Sequence, residues 1–151
     1  MHITARVDCA VRALTELAAS PSGLVKADAV AAAQSIPYKF LESVLADLRR
    51  ADLVTSRRGP DGGYRLARPA AAITIADVIR VVEGPLASVR GERPEDVSYD
   101  GPAESLQRVW IAVRVNLRAV LESVTIADVA AGALPGFVDE LNADPEAWHR
   151  R

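Results

Sequence analysis

The sequence predicts a mainly α-helical fold that carries a small β-wing and a long helix suited to pairing with a second copy of the chain. Three observations lead to this fold class. Apolar residues recur with helical spacing through the first fifty residues, and the period then changes to two short extended runs around a tip rich in arginine and glycine. A separate apolar stripe, over residues 104–124, is longer than one small domain can cover alone.

The first helix is predicted to belong to the core. Thr4 is placed to cap it, and its end is expected near Pro21 and Gly23. Asp8 and Arg12 stand one helical turn apart, so they can form an ion pair. The apolar stripe of this helix consists of Val7, Ala10, Val11, Leu14, Leu17 and Ala18.

Two further helices complete a compact unit. An alanine-rich second helix is expected over residues 26–33. A third follows over residues 37–51, with Ser35 as its predicted N-cap and Pro37 in its first turn, where a missing N–H costs nothing. Its buried stripe is predicted to be Phe40, Leu41, Val44, Leu45 and Leu48.

A β-hairpin with a basic tip is predicted after the third helix. Residues 54–56 and 64–66 form its two strands. Between them the sequence Arg-Arg-Gly-Pro-Asp-Gly-Gly forms the tip, residues 57–63, whose glycines allow close approach of the backbone to a phosphate or a narrow groove. Three helices followed by this hairpin are the layout of a winged helix-turn-helix domain.

The second half of the chain begins with a repeated helix start. Thr-Ile-Ala-Asp-Val occurs at residues 74–78 and again at 125–129, and each copy places a threonine N-cap three residues before an acid. We interpret the repeat as convergent capping rather than a duplicated domain. The first copy starts a helix over residues 75–82, which Glu83, Gly84 and Pro85 end.

The long helix over residues 104–124 follows a polar, turn-rich connector. Its apolar positions, the predicted dimerisation residues, are Leu106, Val109, Trp110, Val113, Leu117, Val120, Leu121 and Val124. The alternative is that this stripe packs only against the first helix. The predicted organisation is a DNA-binding domain at 1–84, the connector at 85–102, dimerisation helices at 103–131 and a C-terminal tail at 132–151.

Charge is distributed unevenly along the chain. The net charge is −2 overall, but residues 1–69 carry +3 and residues 70–151 carry −5. Residues 49–68 hold six arginines and two aspartates, a balance suited to a polyanion such as double-stranded DNA. The competing interpretation is a solvated hairpin whose arginines only maintain solubility.

Composition excludes several other classes. No apolar run approaches the roughly 20 residues needed to cross a bilayer, and the N-terminus lacks signal-peptide features, so a cytoplasmic location is expected. The chain has no nucleophile elbow, no phosphate-binding glycine loop and no histidine near a nucleophile, so we do not expect an enzyme. His2 and His149 lie at the termini and have no metal-ligand spacing.

The stretch IPYKFLESVLADL, followed by LRRADLV and RGPDGGYRLAR, resembles the Rrf-two family of winged-helix transcriptional regulators. The resemblance implies a homodimeric repressor in which the long helix crosses to the partner and two recognition helices meet a palindromic site. The first turn of the third helix then faces base edges, and Arg58, with Arg57 behind it, reaches the minor groove. The predicted DNA-binding residues are Ser35, Pro37, Tyr38, Lys39, Phe40, Glu42, Arg57, Arg58, Gly59, Gly62 and Gly63.

Many members of this family hold an iron–sulfur cluster in the connector through three cysteines. This chain has a single cysteine, Cys9, and the resemblance places Glu104 and Gln107 where relatives have a cysteine and a histidine. Asp8 matches a carboxylate ligand of one family branch, but a cluster needs several thiolates. We therefore expect no cofactor and no metal, with Asp8 paired to Arg12.

The regulatory input is left open by the sequence. A small-molecule effector, a protein corepressor and oxidation of Cys9 as a redox thiol are three candidates, although a packed, inert cysteine is favoured over the last. The alternative function is a winged-helix protein-interaction module, or a regulator whose DNA binding requires a partner. The acidic connector residues 92–100 are the candidate partner surface.

Overall fold

A computed structural model describes residues 1–20 and 23–151, and its elements confirm the predicted fold class. Within these residues the helices are α1 (Ala5–Ala19), α2 (Ala27–Gln34), α3 (Tyr38–Arg50), α4 (Ile75–Val82), α5 (Leu106–Leu121), α6 (Ile126–Ala131) and α7 (Gly136–Ala143). The strands are β1 (Val54–Arg57) and β2 (Gly63–Leu66), and short 3-10 turns lie at Ala70–Ala72, Gly101–Ala103 and Pro145–Trp148. The predicted end of the first helix near Pro21 falls partly outside the described residues.

Helix α1 is the centre of the core. The Thr4 hydroxyl accepts a hydrogen bond from the Val7 N–H at 3.2 Å, which confirms the predicted cap. Leu14 and its neighbours on the same stripe are buried and pack with side chains from α2, α3, β1, α4 and α6 in one cluster. Burial of this apolar surface is the main favourable contribution to folding.

The wing is a two-stranded antiparallel sheet with Val54 opposite Leu66 and Arg57 opposite Gly63. Val25 extends it on the other side of β2, because its N–H and C=O both bond to the backbone of Tyr64, at 2.8 and 2.7 Å. The hairpin is therefore bonded to the segment before α2 as well as to its own partner strand.

The sequence suggested that Ser35 is the N-cap of α3, but in the structure it is not. It ends α2 in the left-handed conformation with φ of 53°, and its N–H bonds to the carbonyls of Ala31 and Ala32. The N-cap of α3 is Pro37, which makes no side-chain cap and has an extended ψ of 128°. Serine is common at the ends of helices, and here Ser35 caps the C-terminus of α2 rather than the N-terminus of α3.

The two Thr-Ile-Ala-Asp-Val segments meet in space. Each forms a complete capping box, in which the threonine hydroxyl accepts from the aspartate N–H and the carboxylate accepts from the threonine N–H. The segments also pair with each other, since the Ile75 N–H donates to Val124 at 3.0 Å and the Ile126 N–H donates to Ile73 at 2.9 Å. This pairing returns the chain to the core after α5, and Ile126 is fully buried there.

The long helix is shorter than predicted and stands apart from the core. It spans Leu106–Leu121, and none of its residues is buried. The sequence assigned Val124 to the dimerisation stripe, and this assignment was wrong. Val124 lies beyond the end of α5, is only 6% exposed and belongs to the interior of its own protomer. Its burial follows from the pairing of the two repeated segments.

The tail after α6 contains an amphipathic helix. Phe137 and Leu141 of α7 are exposed, and Trp148 returns to this helix by donating its indole N–H to the Asn142 carbonyl at 2.7 Å. None of the residues of α7 is buried.

Candidate nucleic-acid interface and dimer surface

The N-terminal turn of α3 projects into solvent. Leu41, Val44, Leu45 and Leu48 anchor one side of the helix in the core, and this leaves Tyr38 and Lys39 on the other. The Lys39 side chain is 92% exposed, and its ammonium lies 3.6 Å from the Glu42 carboxylate. Such an exposed pair holds its partners only weakly, so both groups remain available to a ligand.

Glu42 also contacts Tyr38. The nearby Glu42 charge, with a hydrogen bond to the phenol, raises the pKa of Tyr38 above its usual range. The phenol therefore keeps its proton and is a hydrogen-bond donor at neutral pH. Helix α3 packs against β1 of the wing, so the helix and the wing adjoin each other.

Arg6 of α1 holds the exposed side of α3, a role that the sequence did not reveal. Its guanidinium donates to the Ser43 hydroxyl at 3.1 Å, forms an ion pair with Asp47 and lies 5.9 Å from the centre of the Phe40 ring. Hydrogen bonds from Arg6 and Arg50 lower the pKa of Asp47, so this carboxylate remains charged. Phe40, Ser43 and Asp47 lie on one face of α3 at helical spacing. No local sequence pattern relates this face to residue 6.

Phe40 has a mixed position. It is half-buried, packs against the core cluster and meets the Arg6 guanidinium, so a large part of its ring is used within the protomer. Among the predicted base-facing residues, Pro37, Tyr38 and Lys39 are more exposed. Ser35 is exposed as well, in the turn between α2 and α3.

The tip of the wing exposes both of its arginines. Arg57 and Arg58 are solvent-accessible, and Gly59 turns the chain with φ of +105°. Gly62 is required for a steric reason, because a Cβ atom there would lie 2.1 Å from the Arg57 carbonyl oxygen. At Gly63 a Cβ atom would lie 2.7 Å from the Val25 carbonyl oxygen, so the added strand contact also requires glycine.

An apolar groove runs along α5 on the side that the sequence assigned to dimerisation. Val109 and Val113 are 49% and 44% exposed, and Leu117, Val120 and Leu121 are half-buried. With Met1 and Ile3 these residues line a groove of about 540 Å³. Helix α1 does not cover this stripe in the protomer, since Val109 and Val113 remain exposed. Leu106 and Trp110 are half-buried, and the Trp110 indole N–H donates to the Tyr99 hydroxyl at 2.9 Å.

The donor set of the connector does not fit an iron–sulfur cluster. Gln107 donates from its amide nitrogen to the carbonyls of Val97 and Glu95, at 2.7 and 3.1 Å, so it fastens the connector to α5. Arg114 adds an ion pair to Glu95, whose pKa is lowered by a backbone hydrogen bond and by this arginine. Across residues 1–20 and 23–151, no three His, Cys, Asp or Glu side chains are grouped to hold a metal ion.

Cys9 is fully buried in α1. Burial raises the pKa of its thiol, although Arg12 opposes the shift. A buried thiol with a raised pKa is a poor nucleophile, and this favours the packed cysteine over the redox sensor. Asp8 forms the predicted ion pair with Arg12 at 2.9 Å, and Arg12 also donates to the Gln34 carbonyl.

Known proteins resemble the chain in sequence. Residues 3–132 match the model of the Rrf2 family, described as an iron-dependent transcriptional regulator. A Mycobacterium tuberculosis protein named as an HTH-type transcriptional regulator, Rv1287, is 51% identical over 97% of this chain and 92% of its own length. The HTH-type transcriptional regulator CymR of Bacillus subtilis is 37% identical over 68% of this chain and 69% of its own.

Solved structures resemble it as well. CymR, described as the global cysteine regulator of B. subtilis, superposes with a TM-score of 0.75 at 31% identity, covering 88% of this chain and 98% of that one. IscR of T. potens gives 0.69 at 30% identity, with 100% and 93% covered. The fold and these likenesses define a transcriptional regulator with a winged-helix DNA-binding fold. The chain belongs to the Rrf2 family.

The matched family and the relatives named above are transcriptional regulators, not enzymes. Among the described residues, no helix has both the length and the apolar character needed to cross a membrane.

Proposed function

We propose that the protein is a homodimeric, sequence-specific DNA-binding repressor that covers a palindromic operator and needs no iron–sulfur cluster. The observation that carries the proposal is the exposed first turn of α3, a helix that packs against the arginine-bearing wing. In this arrangement α3 enters the major groove and the wing follows the adjacent minor groove. The proposed DNA-binding unit is residues 1–84, followed by the connector 85–102, the dimerisation segment 103–131 and the tail 132–151.

The exposed side chains of α3 suit direct readout of bases. Lys39 can donate to O6 or N7 of guanine, and Glu42 can accept from N4 of cytosine. Tyr38 can donate to a phosphate or contact a thymine methyl group. Since Glu42 contacts both Tyr38 and Lys39 in the free protein, these three side chains rearrange together when DNA binds.

Dimerisation is supported by α5. The helix is apolar around much of its surface, yet it has no buried residue in the protomer, and a helix of that composition is stable in water when something covers it. A second copy of the same helix satisfies this requirement around a two-fold axis. Two recognition helices are then presented to the two halves of an inverted repeat.

Arg58→Ala is expected to weaken binding to specific and random duplexes alike. The wing contributes charge to the DNA backbone and minor groove, so loss of one cation reduces the slope of log K against log salt by about one. The measurement is fluorescence anisotropy over a salt series, with the exposed tail variant Arg150→Ala as control. An unchanged slope for Arg58→Ala would remove the wing from the DNA interface.

Glu42→Ala is expected to alter sequence preference rather than overall affinity. Loss of its carboxylate removes discrimination at the cytosine it accepts from, worth about 1–3 kcal/mol per base pair. It also releases Lys39, so preference changes at a neighbouring base pair as well. Competition against single-base operator variants measures the effect. Identical preferences in wild type and variant would contradict the assignment of α3 as the reading helix.

In vitro selection of random duplexes by the full-length protein at near-physiological salt tests the function as a whole. Recovery of an inverted repeat without added metal or thiol is the expected result. Failure of a folded dimer to enrich any motif would reject unaided DNA binding, and would leave either the protein-interaction module or a regulator that needs a partner or an effector to bind DNA.

A further inference from the structure

A cavity separate from the DNA-facing surfaces lies where four segments of the chain meet, and it adjoins the apolar groove of α5 through the shared residues Met1, Ile3, Val113 and Leu117. The start of α1, the end of α4, the beginning of the connector and one side of α5 enclose about 340 Å³, within the range of small-molecule sites. Its apolar wall includes Val7, Ile79, Leu86, Trp110 and Leu117. A cavity of this size accepts a compact molecule smaller than a nucleotide, and the apolar wall suits the apolar part of such a molecule.

Glu83, an exposed residue, contributes a carboxylate to the cavity lining. Glu83 is the C-terminal cap of α4, so its negative charge adds to the negative end of the helix dipole. Its Oε1 atom accepts from the Thr4 hydroxyl at 2.6 Å, and in the described part of the chain no other donor reaches the group. Arg80, the cation in the same turn, is paired instead with Asp77 and Glu122. Among the described residues no cation pairs with Glu83, which lies at the end of α4 next to the cavity.

Two other side chains suit a cationic guest. His2 lines the cavity and, when neutral, presents a ring nitrogen that can accept a hydrogen bond. Trp110 contributes an indole whose N–H is already used by Tyr99, which leaves the ring as apolar and π surface. We propose that this cavity binds a small organic cation, an ammonium or amidinium group on an apolar body, with Glu83 as the counter-ion.

The same turn of α1 touches both the cavity and α3. Thr4 caps α1 and donates to Glu83, Val7 lines the cavity, and Arg6 between them holds Ser43 and Asp47 of α3. A cation at Glu83 competes with the Thr4 hydroxyl and so acts on the turn that positions the exposed face of α3. This coupling rests on the proposed function, and it is reciprocal, because DNA must change the affinity for the cation by the same factor.

The binding site is tested on the full-length protein at pH 8 without DNA, by two-dimensional NMR. The probes are isoamylamine, 2-phenylethylamine and tryptamine, with 2-phenylethanol and 3-phenylpropanoate as the uncharged and anionic counterparts of the second. At least one amine is expected to shift the Val7, Leu86 and Trp110 indole resonances at millimolar concentration, whereas the two counterparts do not. Glu83→Gln is expected to weaken amine binding about threefold, as loss of an exposed ion pair requires.

Glu140→Gln, an exposed carboxylate on α7, is the matched control and should bind as wild type. Ala87→Trp, which fills the cavity from the connector side, should abolish the shifts while the fold is retained. Absence of shifts with all three amines, or equal binding to wild type and Glu83→Gln, would overturn the proposed site.

Operator affinity measured with and without the bound amine tests the coupling. A changed affinity in wild type and an unchanged one in Glu83→Gln is the expected result. Amine binding with no effect on operator affinity would reject the coupling alone. Amine binding by a protein that selects no DNA would instead reject the proposed function and leave the site standing.

Discussion

Val113→Asp is expected to convert the protein into a folded monomer that no longer binds an inverted repeat tightly. Val113 is exposed in the protomer, so the substitution leaves the core intact, but in the proposed dimer it buries one carboxylate from each protomer in the shared apolar surface of α5. Two buried, mutually repelling charges raise the dimer dissociation constant on the order of a thousandfold, about 4 kcal/mol. Sedimentation equilibrium measures the mass, and thermal unfolding checks the fold.

Ala119→Asp is the matched control for this prediction. It introduces the same charge on the same helix, at an exposed position that does not line the apolar groove. Its mass should remain that of the wild-type dimer. A dimeric Val113→Asp protein would show that α5 is covered through a different face.

Gly62→Ala is expected to force open the tip of the wing between β1 and β2. The added Cβ atom would meet the Arg57 carbonyl oxygen at 2.1 Å, and the nearest atoms all belong to the backbone of Arg57 and Arg58, so no flexible side chain can move away. The tip must open, which displaces Arg57 and Arg58 together and disturbs the β2 contact with Val25. We expect affinity for specific and random duplexes to fall on the order of a hundredfold, because two cationic contacts are lost together.

Gly136→Ala separates this steric effect from a general cost of replacing glycine. A Cβ atom at Gly136 meets nothing within 4 Å, so DNA affinity and thermal stability should stay near wild type. Anisotropy titrations and thermal unfolding of both variants provide the comparison. Wild-type DNA binding by Gly62→Ala would exclude the wing from a specific role.

Local signals predicted most of the fold because the periods of the sequence are clear. The capping residues Thr4, Thr74 and Thr125 lie where the pattern placed them, and the helix over residues 75–82 has the predicted bounds. Ser35 was assigned to the wrong helix, because serine's preference for helix ends does not say which of two adjacent helices it serves. Local patterns fail at such junctions, where two elements compete for one residue.

Features that depend on distant residues could not be predicted. Val124 continues the apolar spacing of α5, and periodicity cannot distinguish burial in the same protomer from burial by a second copy. Arg6 and Asp47 are an ion pair across 41 positions, and Gln107 bonds to connector carbonyls rather than substituting for a metal ligand. Each depends on how elements pack in three dimensions, which residue spacing does not record.

The pairing of the two Thr-Ile-Ala-Asp-Val segments affects how strictly a dimer would select the spacing between the two half-sites of its operator. A dimerisation helix attached at one end would swing on its linker, and part of the binding free energy would be lost to the entropy of that motion. Here the chain leaves the winged domain after α4 and is bonded back to it before α6, so α5 is tethered at both ends. In the proposed dimer the two recognition helices are therefore held at a fixed distance from each other. Inserting or deleting one base pair between the half-sites changes both their separation and their rotation about the DNA axis, so the two helices no longer face both half-sites at once.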